Sequence, residues 1–141
     1  MDIECGDYMK KVIIYGTFDL FHYGHDKILK KAKKLGNHLT VAVNTNKYDE
    51  SRGKSNFQKT KKRMLNVEKS HYANRLIMRE YIGQEIEDID KYDIDIVVAG
   101  KNHKGEFDHL KNKCKVLYLD IVDGISTSQI KQQLKNKKRR R

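Results

Sequence analysis

The 141-residue chain has no proline and no tryptophan, only two cysteines, and aromatic residues at 9%. It has no proline-rich or other low-complexity linker and no internal repeat, so one domain is expected from this length. Cys5 and Cys114 are too few for a disulfide framework and lack metal-site spacing, and Cys114 reads as a small, buried thiol at the start of a strand. No apolar run approaches the roughly 18 residues of a membrane span, and no charged-then-apolar leader opens the chain. A soluble, cytoplasmic protein with no membrane contact is therefore expected. Hydrophobic residues still make up 38%, enough for a layered core.

Charge is plentiful and one-sided. Lys and Arg number 30 against 19 Asp and Glu, for a net charge of +11. Six of the basic residues fall in the last seven positions, Lys135 to Arg141, and without them the balance is about +5, a moderate excess suited to small phosphorylated ligands. The run from Lys137 to Arg141 reads first as a solvated end. Non-specific nucleic-acid binding is its lesser alternative, since a short basic run supplies only salt-sensitive affinity. Residues 1–8 read as an extension before the fold, 9–134 as the domain, and 135–141 as a basic tail.

Strand and helix patterns alternate through the domain. Val12 to Tyr15 is a β-branched and aromatic run ending at Gly16, after which Ile28, Leu29, Ala32 and Leu35 recur at helical spacing, with Gly36 as a plausible C-cap. Further strands are expected at 38–44, 75–78, 95–99 and 116–119. Helices are expected at 60–69, around 85–92, and from Ser126 through Leu134. Strands separated by helices imply βαβ units and a parallel sheet covered on both faces, with ligands beyond the carboxyl ends of the strands. Gly16, Gly100 and Gly124 all fall after strand ends.

The densest chemistry lies in Gly16-Thr17-Phe18-Asp19-Leu20-Phe21-His22-Tyr23-Gly24-His25. Here a strand end, a tight loop and two histidines meet a helix start, where unpaired backbone N–H groups and the helix dipole favour an anion. Imidazole N–H donors fixed around the α-phosphorus of a nucleoside triphosphate would stabilise charge developing during attack on it. A metal pair and plain surface histidines are the alternatives, although no Cys-x-x-Cys or acidic partner supplies further metal ligands nearby. In Gly124-Ile125-Ser126-Thr127-Ser128, Ser126 or Thr127 is an N-cap, a phosphate donor, or both. Arg52-Gly53-Lys54 is either a mobile segment that folds over a polyanion or the chance placement of cations in a basic chain.

Gly-Thr-Phe-Asp followed by His-Tyr-Gly-His resembles the signature of the cytidylyltransferase family, and Gly-Ile-Ser-Thr-Ser resembles its second signature. Between them the chain follows the pattern of the small bacterial glycerol-3-phosphate cytidylyltransferases over about residues 10–134. The resemblance implies a Rossmann-like α/β nucleotidyltransferase with a five-stranded, mostly parallel sheet flanked by helices. It implies His22, His25 and Lys54 as catalytic residues. Gly16, Thr17, Phe18, Asp19, Gly24, Arg52, Gly100, Lys101, Gly124, Ile125, Ser126 and Thr127 are implied as nucleotide-binding, and Arg63 and His71 as acceptor-binding. Mg²⁺ is expected on the triphosphate, with Asp19 as its ligand, as an orienting partner for a histidine, or as a turn former. A homodimer is expected by the same analogy.

The chain also departs from the pattern. Ile121-Val122-Asp123 stands where relatives carry Arg-Thr-Glu, His71 stands in place of a second arginine, and Lys101-Asn102-His103 replaces a more acidic stretch. These departures leave the transfer chemistry intact and open the choice of acceptor. Glycerol 3-phosphate and a larger alditol phosphate, such as that of ribitol or a hexitol, both fit. The product would be a CDP-polyol for cell-surface polysaccharide synthesis. An adenylyltransferase of cofactor synthesis and a nucleic-acid-binding module are the alternative functions.

Overall fold

The computed structural model describes residues 10–120. The extension, the basic tail, the helix expected from Ser126 and the Gly124–Thr127 motif lie outside the described residues. The elements are β1 (Lys11–Gly16), α1 (Tyr23–Lys33), β2 (His38–Asn44), α2 (Asn46–Ser51), α3 (Thr60–Lys69), β3 (Arg75–Arg79), α4 (Gln84–Lys91), β4 (Ile96–Gly100) and β5 (Lys115–Leu119), with short 3-10 turns at Lys101–His103 and Asp108–Leu110. The expected strands and helices in this range are present within a residue or so.

The five strands form one sheet in the order β3-β2-β1-β4-β5, and every pairing is parallel. The sheet is thus wholly parallel among the described residues, where a mostly parallel one was expected. Parallel sheets are covered on both faces, which is why β1 and β4 read as unbroken apolar runs. On one face Val12, Ile14, Val41 and Val98 pack with Ile28, Leu29 and Ala32 of α1 and Val67 of α3. On the other, Ile13, Tyr15, Ala42 and Val97 pack with Ile89, Phe107 and Leu110.

The chain builds outward from β1 through β2 to β3, then returns to the far side of β1 for β4 and β5. Strand order therefore reverses between β1 and β4, and a crevice opens above the carboxyl ends there. No helix among the described residues is long and apolar enough to cross a membrane.

Two local expectations change. The helix after β1 ends at Lys33 with Lys34 as its C-cap, so Gly36 does not cap it. Gly36 instead lets two backbones meet, because a Cβ there would collide with the carbonyl oxygen of Lys10 and lie 3.0 Å from Val12 Cγ2. Between β2 and α3, where no element was expected, the chain forms α2, whose Thr45 N-cap accepts from Tyr48 N at 3.0 Å. Tyr48 and Asp49 are buried, which anchors a helix too short and polar to show helical periodicity.

Candidate active site

A cavity of about 700 Å³ lies above the carboxyl ends of the strands. Gly16, Thr17, Phe18, Asp19, His22, Gly24 and His25 line one part of it. Gly16 closes β1, and a Cβ there would lie 2.8 Å from the ring of Phe18, which folds back against it. Phe18 and Leu20 both hold positive φ, at 53° and 52°. Such backbone persists only where its surroundings fix it. Asp19 does so, being fully buried, with its carboxylate accepting from Phe57 N at 2.8 Å and Gln58 N at 3.0 Å. Leu20 N adds a bond to Gln58 Oε1 at 3.1 Å.

The two histidines begin α1. His22 is the N-cap, and its Nδ1 accepts from Gly24 N at 3.0 Å. His25 Nδ1 accepts in turn from His22 N at 3.2 Å. The rings stack with centroids 3.9 Å apart. A nitrogen that accepts from a backbone N–H carries no proton, so in the neutral ring the proton sits on Nε2. Burial lowers the pKa of both imidazoles, and the neighbouring His22 helps push His25 down to about 3. Near neutral pH both rings are therefore uncharged, with Nε2–H as the ring donor. That is a pair of fixed dipoles suited to a developing oxyanion.

The basic loop is only partly committed to the cavity. Arg52 and Lys54 line it. Arg52 Nη1 is held 3.1 Å from Glu106 Oε1, and Glu106 also bonds His103 Nδ1 at 2.7 Å. Burial works against the Glu106 charge, yet His103 and Arg52 outweigh it and hold this carboxyl below its ordinary range. Gly100 and Lys101 line the cavity as well. Thr17 does more than offer backbone, as its hydroxyl donates to Asp49 Oδ2 at 2.9 Å and accepts from Asn44 Nδ2 at 3.2 Å.

Arg63 and His71, expected to hold the acceptor, do not line this cavity. Arg63 is fully buried. Its Nη1 donates to the carbonyls of Thr17 at 2.7 Å and Asn44 at 2.6 Å, Nε donates to Gln58 O at 3.0 Å, and Nη2 donates to Asn46 Oδ1 and Thr60 Oγ1. All five guanidinium N–H donors are thereby used inside the protein, leaving none for a substrate. Arg63 is a brace joining the motif loop, β2 and the start of α3. His71 is exposed in the turn after α3, at a positive φ of 65°. That turn precedes β3 at the amino end of the sheet, opposite the cavity.

No group of three metal-ligating side chains comes together among the described residues. Both Asp19 oxygens already accept backbone N–H groups and Glu106 is ion-paired, so the described residues supply no cage of their own for a divalent cation.

Residues 13–133 match the cytidylyltransferase-like family pattern. The chain belongs to that family. It is 41% identical over 129 residues to the glycerol-3-phosphate cytidylyltransferase of Staphylococcus aureus, covering 92% of this chain and 98% of the relative. It is 46% identical over 126 residues to the enzyme of the same description from Bacillus spizizenii, covering 89% and 98%. Among solved structures, a lipopolysaccharide core biosynthesis protein from Thermoplasma volcanium superposes with a TM-score of 0.73 at 25% identity, over 81% of this chain and 98% of that one. In this cytidylyltransferase-like chain, several lining residues carried no advance signal. Asn44, Arg79, Glu106 and Phe107 all border the cavity. Asn44 and Arg79 are the last residues of β2 and β3, and a polar residue closing an apolar run at the carboxyl end of a parallel strand was the available clue.

Proposed function

We propose that this protein transfers the cytidylyl group of CTP to the phosphate of a small phosphorylated polyol, glycerol 3-phosphate or another alditol phosphate, and releases pyrophosphate. The observation that carries this reading is the stacked His22–His25 pair, whose protons are fixed on Nε2 by backbone donors at the helix start. Similarity to glycerol-3-phosphate cytidylyltransferases over nine-tenths of the chain supports the acceptor class.

A phosphomonoester oxygen attacks the α-phosphorus in line. The new P–O bond forms as the bond to the β-phosphate oxygen breaks, and the electron pair leaves with pyrophosphate. A phosphomonoester is already a competent nucleophile, so positioning and charge stabilisation carry the step without a covalent enzyme intermediate. His22 and His25 donate to the α-phosphate oxygens, while Lys54, Lys101 and Arg52 face the remaining phosphate charge. Asp19 is the lining carboxylate that would face a Mg²⁺ carried on the triphosphate, and that ion would supply partial neutralisation of the phosphate charge. A homodimer is the working assembly and the cytoplasm its compartment.

The test is a panel of alditol phosphates incubated with Mg²⁺ and either CTP or ATP, with the nucleotide-linked product identified by mass. A CDP-polyol is expected. Turnover should fall about 100- to 1,000-fold in His22→Ala or His25→Ala. Preference for ATP, or unchanged turnover in both variants, overturns the reading.

A further inference from the structure

Beyond the histidines the cavity reaches the carboxyl ends of β2 and β3, where Asn44 and Arg79 both line it. The two are partners in the parallel register, so their side chains stand on the same face of the sheet. Only 6% of Asn44 and 5% of Arg79 is exposed. The Arg79 guanidinium lies 4.9 Å from the ring centre of Tyr15, 4.6 Å from that of Tyr48 and 5.5 Å from that of Phe107. Its Nη2 donates to Glu85 Oε1 at 2.8 Å, but its Nε has no partner among the described residues. Asn44 Nδ2 donates to Thr17 Oγ1 and to Asp49 Oδ1, at 3.2 and 3.3 Å, which fixes the amide orientation. Its Oδ1 is then a buried acceptor, also without a partner among the described residues.

Buried polar groups are almost always satisfied, and leaving one unmade is costly. Here an unfilled donor and an unfilled acceptor belong to two neighbouring side chains that line the candidate substrate cavity. Charge narrows what they fit. Glu85 already balances Arg79, and Glu85 is held from its other oxygen by His109 at 3.1 Å. The pair is therefore not a bare cation awaiting a phosphate, and both atoms are shielded from bulk water, which suits a small neutral group. A hydroxyl both accepts and donates.

We infer that Arg79 Nε and Asn44 Oδ1 form a hydroxyl-recognition subsite for the polyol chain of the acceptor. The inference rests on the acceptor class proposed above. Reversal of strand order assigns the nucleotide to the crevice between β1 and β4, leaving the ends of β2 and β3 for the second substrate. The acceptor phosphate stays near the histidines and lysines while its carbinol end reaches Arg79 and Asn44.

The test compares kcat/KM for glycerol 3-phosphate and ribitol 5-phosphate with their mono-deoxy analogues, in the wild-type protein and in Arg79→Lys and Asn44→Ala. Loss of one particular hydroxyl should cost the wild type about 10- to 100-fold. In either variant that discrimination should shrink to within about threefold, with the KM for CTP unchanged. Asn44→Ala leaves the Arg79–Glu85 pair in place and carries the test if Arg79→Lys does not fold. Equal use of hydroxylated and deoxygenated acceptors by the wild type overturns this inference alone. So does a variant effect that falls on the KM for CTP or on the choice of CTP over UTP, which would assign the pair to the base. Absence of any CDP-polyol from the wild type overturns the acceptor class, and this subsite with it.

Discussion

Replacing Arg63 with methionine separates a brace from a ligand-binding residue. Methionine keeps most of the length and apolar packing of the arginine stem but removes every donor. Three backbone carbonyls, those of Thr17, Asn44 and Gln58, then lose charged partners now 2.6–3.0 Å away. A hydrogen bond from a charged donor contributes about 1.5–3 kcal/mol, but the three are not additive, and removing a buried charge returns part of its desolvation cost. The expected loss is about 3–5 kcal/mol, a large share of the roughly 5–15 kcal/mol that stabilises a domain. In a domain of this size that lowers Tm by about 10–20 °C. Thermal and urea unfolding of Arg63→Met, followed by circular dichroism, measure it. Arg63→Lys should recover only part of the loss, since one ammonium cannot span five acceptors. A Tm within about 2 °C of wild type, combined with a selective rise in the KM for the acceptor, would refute the bracing role and return Arg63 to the substrate.

Two further outcomes follow from local geometry. Burial and the neighbouring His22 hold His25 at about 3, against 6.5 as its ordinary value. The unfolded chain therefore takes up this proton first, so stability should be full above pH 6.5 and fall by about 1.4 kcal/mol per pH unit as pH drops from there toward 3. Urea unfolding between pH 7.5 and 5 reads the slope, which His25→Asn should flatten; a wild-type profile flat over that window would sink the neutral-imidazole assignment. Gly36→Ala should cost about 1–3 kcal/mol, because the clash is with the Lys10 backbone rather than a movable side chain, while kcat of the folded fraction stays the same. An unchanged urea midpoint would mean that the backbone at the amino end of the central strand β1 yields freely.

Much of this architecture was legible because its strands are buried on both sides. Runs such as Val12–Tyr15 and Ile96–Ala99 have no polar interruption, and a helical apolar spacing follows the first of them. α2 escaped notice because one tyrosine among five polar residues carries no period, and its stability comes from Thr45 and from burial of Tyr48 and Asp49. The histidine pair was readable from spacing alone, whereas its tautomer came only from the two backbone donors. Arg63 and His71 were assigned to the acceptor on family pattern, and topology explains both misplacements. α3 runs from the cavity end of the sheet to the opposite end, so its first turn carries Arg63 beneath the motif loop while the turn beyond it carries His71 away. A buried arginine and a phosphate-binding arginine look alike in a sequence. What distinguishes them is how many carbonyls converge on the guanidinium, and those here come from three separate segments.

His22 caps α1 and His25 lies in its first turn. The two rings that donate to the phosphate in the proposed reaction are also the groups that satisfy the first turn of α1. Fraying of that turn would release the donors from their aim, and a phosphate that orders the rings must tighten the turn in return. On the proposed reading, order in that first turn and phosphate binding are thermodynamically linked through one pair of imidazoles. A replacement at either position has to satisfy the backbone and the substrate together, so neither histidine can drift toward a better cap or a better donor on its own.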